Sequence, residues 1–475
     1  MKRIMIAAPK SGSGKTIITC GLLACLKSRD LRVRAYKCGP DYIDPMFHRR
    51  VIGIPGGNLD TFFSEPDEIR RQIAESDSDY AVIEGVMGIY DGIAGASGKG
   101  SCYDVAGVTG TPVILVMDVK GMGTTMIPVI KGILGDDKDC LIRGIVLNRI
   151  SPGYLEQIRP LVDDALREIS ETRSKSVVLL GGIPNMKEMK LESRHLGLMM
   201  PDEIEDLTTQ VEAARNLIEE NLDTDVMLEI MCQAEDTGDW HLTGVNTGGR
   251  DLSPSYPGRL LTIAVARDEA FCFYYEENLR MLESCGIRVR EFSPLHDALL
   301  PEEADGILLG GGYPELHAEA LSANKSMRDS VREAIEDGMP CLAECGGFMY
   351  LLDGIEDKDG TRLSMCGVIG GTSSDTGKLG RFGYITVSGS GAADSLLSGL
   401  SVKGHEFHYF DSDNNGSDAV AVKPGSGKSW ECIHADSNCI MGFPHLWYPS
   451  CPELVFRFRD SMMAYRESRM TEGGE

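Results

Sequence analysis

At 475 residues the chain is too long for one ordinary core; typical domain sizes give about two to four domains, and two are expected. A hydrophobic share of 42% beside 25% charged residues is that of a soluble globular protein, and no apolar run reaches the roughly eighteen residues that a membrane span needs. The net charge of −25 repels nucleic-acid phosphates and anionic membranes, so any polyanionic substrate must be met by local cations or a metal.

Met1-Lys2-Arg3 runs straight into the strand-like residues 4–8, too short an apolar stretch for a signal peptide, which points to the cytoplasm. The fourteen cysteines form no CxxC pair and are expected as free, mostly core thiols. Strand-like runs at residues 4–8, 32–37, 80–84, 112–118, 142–148 and 177–183 alternate with helix-length segments. That alternation predicts a doubly wound parallel α/β sheet. A polar, glycine-containing stretch over residues 236–258 interrupts it and reads as a linker between a first domain, 1–235, and a second, 259–475. In the second domain, residues 261–266, 306–310 and 340–343 are expected strands and 275–285 an expected helix.

Pro9-Lys10-Ser11-Gly12-Ser13-Gly14-Lys15-Thr16 follows the first strand and precedes an apolar helix-length run. It misses the GxxxxGK[ST] pattern by carrying Pro9 at the first glycine, yet keeps the strand-loop-helix context of a phosphate-binding loop. Gly12 and Gly14 let backbone N–H groups approach phosphate, Lys15 reaches the terminal phosphates of ATP, and the Thr16 hydroxyl is a candidate Mg²⁺ ligand. Lys10 adds a second cation. A turn that only caps a helix is the alternative, and it does not call for Lys-Thr at its close.

Mg²⁺ shared with a triphosphate wants carboxylates at strand ends. Glu84, after an apolar strand and before Gly85, is the stronger candidate, because a structural glutamate there would be costly without a partner. Asp60 is the second, with capping as its alternative, and Asp118 the third, with simple termination of its strand as the alternative. Lys37-Cys38-Gly39-Pro40-Asp41-Tyr42-Ile43-Asp44-Pro45 follows the second strand, at the sheet edge where ligands of open α/β folds collect, and reads as a substrate loop.

Far downstream, Ala343-Glu344-Cys345-Gly346-Gly347 joins a strand to a helix and has the form of a nucleophile elbow. The helix N-terminus is expected to favour the thiolate, and the Gly346 N–H to face an oxyanion. Gly310-Gly311-Gly312-Tyr313-Pro314-Glu315 brings Gly311 and Gly312 as further backbone donors. His445, in Phe443-Pro444-His445-Leu446-Trp447, is the candidate general base. A phosphate loop and an amide-attacking cysteine in one chain suggest ATP-driven, glutamine-dependent amide formation, with ammonia passed unprotonated along an enclosed route.

These segments, with Ser193-Arg194-His195-Leu196-Gly197-Leu198 and His405-Glu406-Phe407-His408, resemble the cobyrinate a,c-diamide synthase family in their order and over almost the whole chain. The resemblance implies a dethiobiotin-synthetase-like ATP domain joined to a class I glutamine amidotransferase-like domain. It implies amidation of the a and c acetate side chains of cobyrinic acid, a cobalt tetrapyrrole, with ATP, Mg²⁺ and L-glutamine. It assigns ATP and Mg²⁺ to Lys15, Thr16 and Glu84, ammonia release to Cys345 and His445, and placement of the carboxylate to Asp41, Tyr42 and Asp44. By the same likeness Lys37 contacts the transferred phosphoryl group and Asn148 the adenine. His405 and His408 serve the macrocycle or support the domain, and with no third ligand evident no metal site is expected there.

Relatives read His-x-His near the end, where this chain has Trp447, so the residue that orients His445 stays open, a backbone carbonyl being one candidate. Sister enzymes acting on nickel-sirohydrochlorin in coenzyme F430 assembly share the motifs. A regulatory P-loop ATPase with a binding-only amidotransferase module is the alternative of another class. Homodimerisation is left open.

Overall fold

Strands buried on both faces read as unbroken apolar runs, without polar alternation. The runs of the first half form one such sheet. The computed structural model describes residues 1–185, 207–240, 260–357 and 359–472; the motif at 193–198 and most of the expected linker lie outside them. Two units separate, Met1–Gly244 and Val245–Glu475.

In the first unit β1 (Lys2–Ala7), β2 (Val33–Cys38), β3 (Asn58–Leu59), β4 (Tyr80–Glu84), β5 (Val113–Asp118), β6 (Ile142–Asn148) and β7 (Val178–Ile183) stand in the order β3-β2-β4-β1-β5-β6-β7. Every pairing is parallel. Side chains alternate between two apolar layers, Met5, Ile83 and Leu115 on one face and Ile4, Val82 and Val116 on the other. Helix α1 (Lys15–Ser28) leads from β1 towards β2, whereas the chain after β5 leads to β6 on the opposite side. The crevice beyond the carboxyl end of β1 is therefore a topological switch point, the usual place for a ligand.

In the second unit Ile287–Phe292, Leu261–Ala266, Gly306–Leu309, Cys341–Glu344 and Cys439–Gly442 form a parallel sheet in that order, with His434–Ala435 antiparallel at its edge. A separate antiparallel sheet orders Ser429–Cys432, Ala419–Val422, Phe382–Gly389, Ser401–Phe407 and His445–Leu446. Phe382–Gly389, Ser401–Phe407 and Ser429–Cys432 do not stand out in the sequence, because serine, glycine or charged residues interrupt each of them. The expected helix runs over Glu276–Ser284. All fourteen cysteines are free, and all but Cys232 and Cys451 are buried. Among the described residues no helix is long and apolar enough to cross a membrane.

Candidate active sites

The loop between β1 and α1 takes its shape from two glycines in left-handed conformations, Gly12 at φ +72° and Gly14 at φ +91°. A Cβ on Gly14 would stand 2.3 Å from Asn148 Nδ2. That amide donates to the Ser13 carbonyl at 2.7 Å, so Asn148, expected at the adenine, braces the loop itself. Ser13 Oγ donates to the Lys10 carbonyl at 3.0 Å, and the Lys15 ammonium to the carbonyls of Met87 and Lys10 at 2.7 and 3.2 Å. Burial lowers the Lys15 pKa from its ordinary value. Arg149, which the sequence did not single out, donates to the Gly12 carbonyl at 3.1 Å and to Asp118 Oδ2 at 2.8 Å. Lys10 is exposed, with its ammonium 3.9 Å from Asp118. Asp118 is thus engaged with these cations.

Next to the loop lies a buried charge cluster. Parallel pairing of β2 with β4 puts Lys37 directly beside Glu84. Glu84 Oε1 accepts from the Thr16 hydroxyl at 2.6 Å and from the Lys37 ammonium at 3.0 Å. Lys37 also pairs with Asp44 and lies 4.0 Å from Asp41. Asp41 Oδ1 accepts from the N–H groups of Ile43 and Asp44 at 2.9 and 3.1 Å, while Asn58 Nδ2 donates to the carbonyls of Gly39 and Asp41. This bonding folds residues 39–44 back over the strand ends, with Tyr42 buried at the head of the short helix Ile43–Phe47.

The cluster is strongly polarised. Removal from water, then repulsion by Asp44, pushes the Glu84 carboxyl up to about 7 and Asp41 up to about 6. Burial opposes the charge on Lys37, yet the carboxylates of Asp44, Glu84 and Asp41 outweigh it and hold the ammonium well above its ordinary pKa. Buried His48, with Nε2 3.7 Å from Glu84 Oε2, is pushed down to about 4 by desolvation. Nothing in its sequence setting pointed to this place.

Glu84 Oε2 and Asp44 Oδ1 are buried and accept no hydrogen bond. With the Thr16 hydroxyl they are hard oxygen donors of the kind Mg²⁺ takes together with nucleotide phosphates. Asp60 Oδ1 accepts from the N–H groups of Phe62 and Phe63 at 2.7 and 3.2 Å, which is the capping role raised as its alternative. Among the described residues no group of three His, Cys, Asp or Glu is placed to hold a metal unaided.

In the second unit Cys345 sits between the strand Cys341–Glu344 and the helix Gly346–Leu351 at φ +49°, ψ −104°. Such backbone is costly for a residue with a Cβ and marks a nucleophile elbow. Its N–H donates to the Gly442 carbonyl at 2.8 Å, tying the elbow to the strand that leads into His445. Glycine is required around it. A Cβ on Gly347 would be 2.1 Å from the Leu309 carbonyl oxygen, one on Gly346 3.1 Å from the Gly312 nitrogen, and one on Gly311 2.5 Å from His445 Cε1. Cys345, Gly346, the 310–312 loop and His445 are therefore brought together.

Strand register sets His405 opposite His445, and their rings stack at 4.9 Å and 15°. Burial, then the neighbouring His445, keeps His405 well below the usual histidine pKa, and its Nδ1 meets the Tyr275 hydroxyl at 3.0 Å. His445 Nδ1 lies 3.7 Å from Glu344 Oε2, and the Tyr448 hydroxyl donates to Glu344 Oε1 at 3.0 Å. Trp447 is a core residue packed edge-on to Tyr275. His408 and the Trp430 indole both bond to buried Glu406, each at 3.0 Å. One expectation is overturned: burial, then the charge of Glu315, holds the Cys345 thiol above its ordinary pKa, with Glu406 and Glu344 adding to the effect. The Gly346 N–H acts the other way and is outweighed.

Residues 4–198 match the CobQ/CobB/MinD/ParA nucleotide binding domain and residues 262–447 the CobB/CobQ-like glutamine amidotransferase domain. The cobyrinate a,c-diamide synthase of Clostridium acetobutylicum is 37% identical over 453 residues, 94% of this chain and 97% of that one. That of Priestia megaterium is 34% identical over 474 residues, 98% of each chain, and that of Dehalococcoides mccartyi 36% identical over 468 residues, 96% and 97%. With whole-length relatives of this identity and a matching domain in each unit, the chain belongs to the cobyrinate a,c-diamide synthase family.

Proposed function

We propose that this chain is a glutamine-hydrolysing carbon–nitrogen ligase that converts the a and c acetate carboxylates of cobyrinic acid to amides, at the expense of ATP, in the cytoplasm. Residues 1–235 act as the ATP-dependent amidoligase domain and 259–475 as the glutaminase. The carrying observation is the strained elbow at Cys345, closed on by His445 and two glycine segments, in a chain whose other unit carries a phosphate loop.

The loop N–H groups, Lys15 and Lys37 hold the triphosphate, and Asp41, Tyr42 and Asp44 place the substrate carboxylate for attack on the γ-phosphorus. ADP leaves and an acyl phosphate forms. Mg²⁺, held by Thr16 and Glu84 with phosphate oxygens, supplies neutralising charge when bound. At the second site His445 takes the Cys345 thiol proton and the thiolate attacks the glutamine amide carbon. The N–H groups of Gly346, Gly311 and Gly312 receive the oxyanion. Ammonia departs with that proton, and water hydrolyses the thioester to glutamate. Ammonia then displaces phosphate from the acyl phosphate to give the amide, and a second cycle gives the diamide.

The names of the relatives above favour a corrinoid over nickel-sirohydrochlorin. Incubation with ATP, Mg²⁺ and glutamine, and in parallel cobyrinic acid or nickel-sirohydrochlorin, tests this through product mass. Two successive carboxylate-to-amide changes on cobyrinic acid are expected. Amidation of nickel-sirohydrochlorin alone would move the enzyme to that substrate, and no change in either would end the substrate assignment.

A further inference from the structure

A cysteine–histidine pair gains from a third group that fixes the imidazole tautomer and steadies the imidazolium formed when the thiol proton is taken. Trp447, two residues after His445, offers neither carboxylate nor imidazole for this, and its ring is core. We propose that Glu344, the residue immediately before the nucleophile, is the positioning residue for His445. This rests on the glutaminase reading given above.

The geometry supports it on four counts. Glu344 closes its strand, so its carboxylate is delivered by the same backbone that holds Cys345, and that backbone pairs with Gly442 just ahead of His445. Its Oε2 lies 3.7 Å from His445 Nδ1, ion-pair distance that shortens to a hydrogen bond once the ring is protonated. The other ring nitrogen, Nε2, lies 3.4 Å from where a Cβ on Gly311 would stand, on the side of the glycine loop. The carboxylate is itself fixed: Tyr448 donates to Oε1 at 3.0 Å, and Asn278 holds the turn around Tyr448, accepting its N–H at 2.9 Å and donating to the Leu446 carbonyl at 2.8 Å. A buried glutamate bonded to a tyrosine on one oxygen and facing an imidazole with the other is suited to hold the Nδ1–H tautomer, leaving Nε2 as the base.

The test compares Glu344→Gln, Glu344→Asp, Tyr448→Phe and Cys345→Ser in the full chain. Glutamate release from glutamine is measured beside ATP-dependent amidation of cobyrinic acid driven by ammonium chloride. Glu344→Gln should lower glutaminase kcat on the order of 100- to 10,000-fold, with the KM for glutamine little changed and the ammonium-driven reaction intact. Glu344→Asp should recover part of the loss, and Tyr448→Phe should cost about tenfold. Unchanged glutaminase kcat in Glu344→Gln overturns the proposal. So does equal loss of the glutamine- and ammonium-driven reactions, or a loss confined to KM, since either marks a structural or binding role. Glutamine hydrolysis that survives Cys345→Ser overturns the glutaminase reading itself and the proposal with it.

Discussion

Lys37 and Glu84 stand side by side on adjacent parallel strands, ammonium to carboxylate at 3.0 Å and both shut off from water. Asp44 pairs with the same ammonium, so one cation serves two buried carboxylates. Removing one member of such a group leaves uncompensated charge in a low dielectric, which costs more than the intact group ever contributed. Lys37→Met should therefore destabilise the protein by about 3–5 kcal/mol, read as a lower urea midpoint. Adding Asp44→Asn should restore part of the loss. Two independent, additive losses would show that the three groups do not act as one cluster.

Stability should also record how this cluster titrates. Glu84 is held at about 7 against 4.5, and Asp41 at about 6 against 3.8, so over those intervals the folded state keeps protons that the unfolded chain has lost. Stability contributed by both falls as pH rises. His48 has the opposite sign. Lowered from 6.5 to about 4, it leaves the unfolded chain with the extra proton, and its contribution rises with pH across that window. Between 4.5 and 6.5 the rise from His48 offsets part of the fall from the two carboxyls. His48→Gln removes the rising one, so the urea midpoint of the variant should fall with pH where that of the parent is flatter. Equal slopes would remove His48 from the cluster.

What could be read from the sequence divides along physical lines. The phosphate loop and the Cys345 elbow were legible because each needs closely spaced glycines for φ or for space, a requirement confined to a few neighbouring positions. Most of the parallel strands were legible as largely apolar runs; Asn58–Leu59, only two residues long, and Ile287–Phe292, interrupted by Arg288, Arg290 and Glu291, were not. His48 was not: it faces Glu84 only because β2 and β4 pair in one register and residues 39–48 fold back across them. The thiolate expected at Cys345 failed for a related reason, since Glu315 and Glu406 lie about thirty residues before it and sixty after it in the chain, and the fold brings both charges close. Asp60 carried two readings in the sequence, and its bonds to the N–H groups of Phe62 and Phe63, which show it capping a turn, are set by a backbone bend that the sequence does not print.

Gly14→Ala puts a methyl group where both conformation and space forbid it, at φ +91° and 2.3 Å from Asn148 Nδ2. To fit, Asn148 must release the Ser13 carbonyl and the loop must open. ATP turnover should fall at least about 100-fold, the scale of losing a preorganised charge-stabilising group, while glutamate release from glutamine persists. Gly12→Ala has nothing within 4 Å of its added carbon and carries only the backbone strain of φ +72°, so it should be the milder change. Equal losses in the two would mean that contact with Asn148 does not shape the loop.

The environment of Cys345 makes a kinetic prediction that separates a poised thiolate from a base-activated thiol. Burial and the carboxylates of Glu315, Glu406 and Glu344 hold the thiol protonated at neutral pH. Alkylation requires thiolate, whose fraction grows about tenfold per pH unit below the thiol pKa. Labelling of the Cys345 peptide by iodoacetamide without glutamine should therefore climb through the alkaline range with no plateau below about pH 9, past the ordinary cysteine pKa of about 8.5. Cys345→Ser, which should abolish glutamine-driven amidation and spare the ammonium-driven reaction, serves as the blank for the labelled peptide. A plateau near neutrality would show a thiolate already formed, and His445 would then serve to protonate the leaving ammonia rather than to deprotonate the nucleophile.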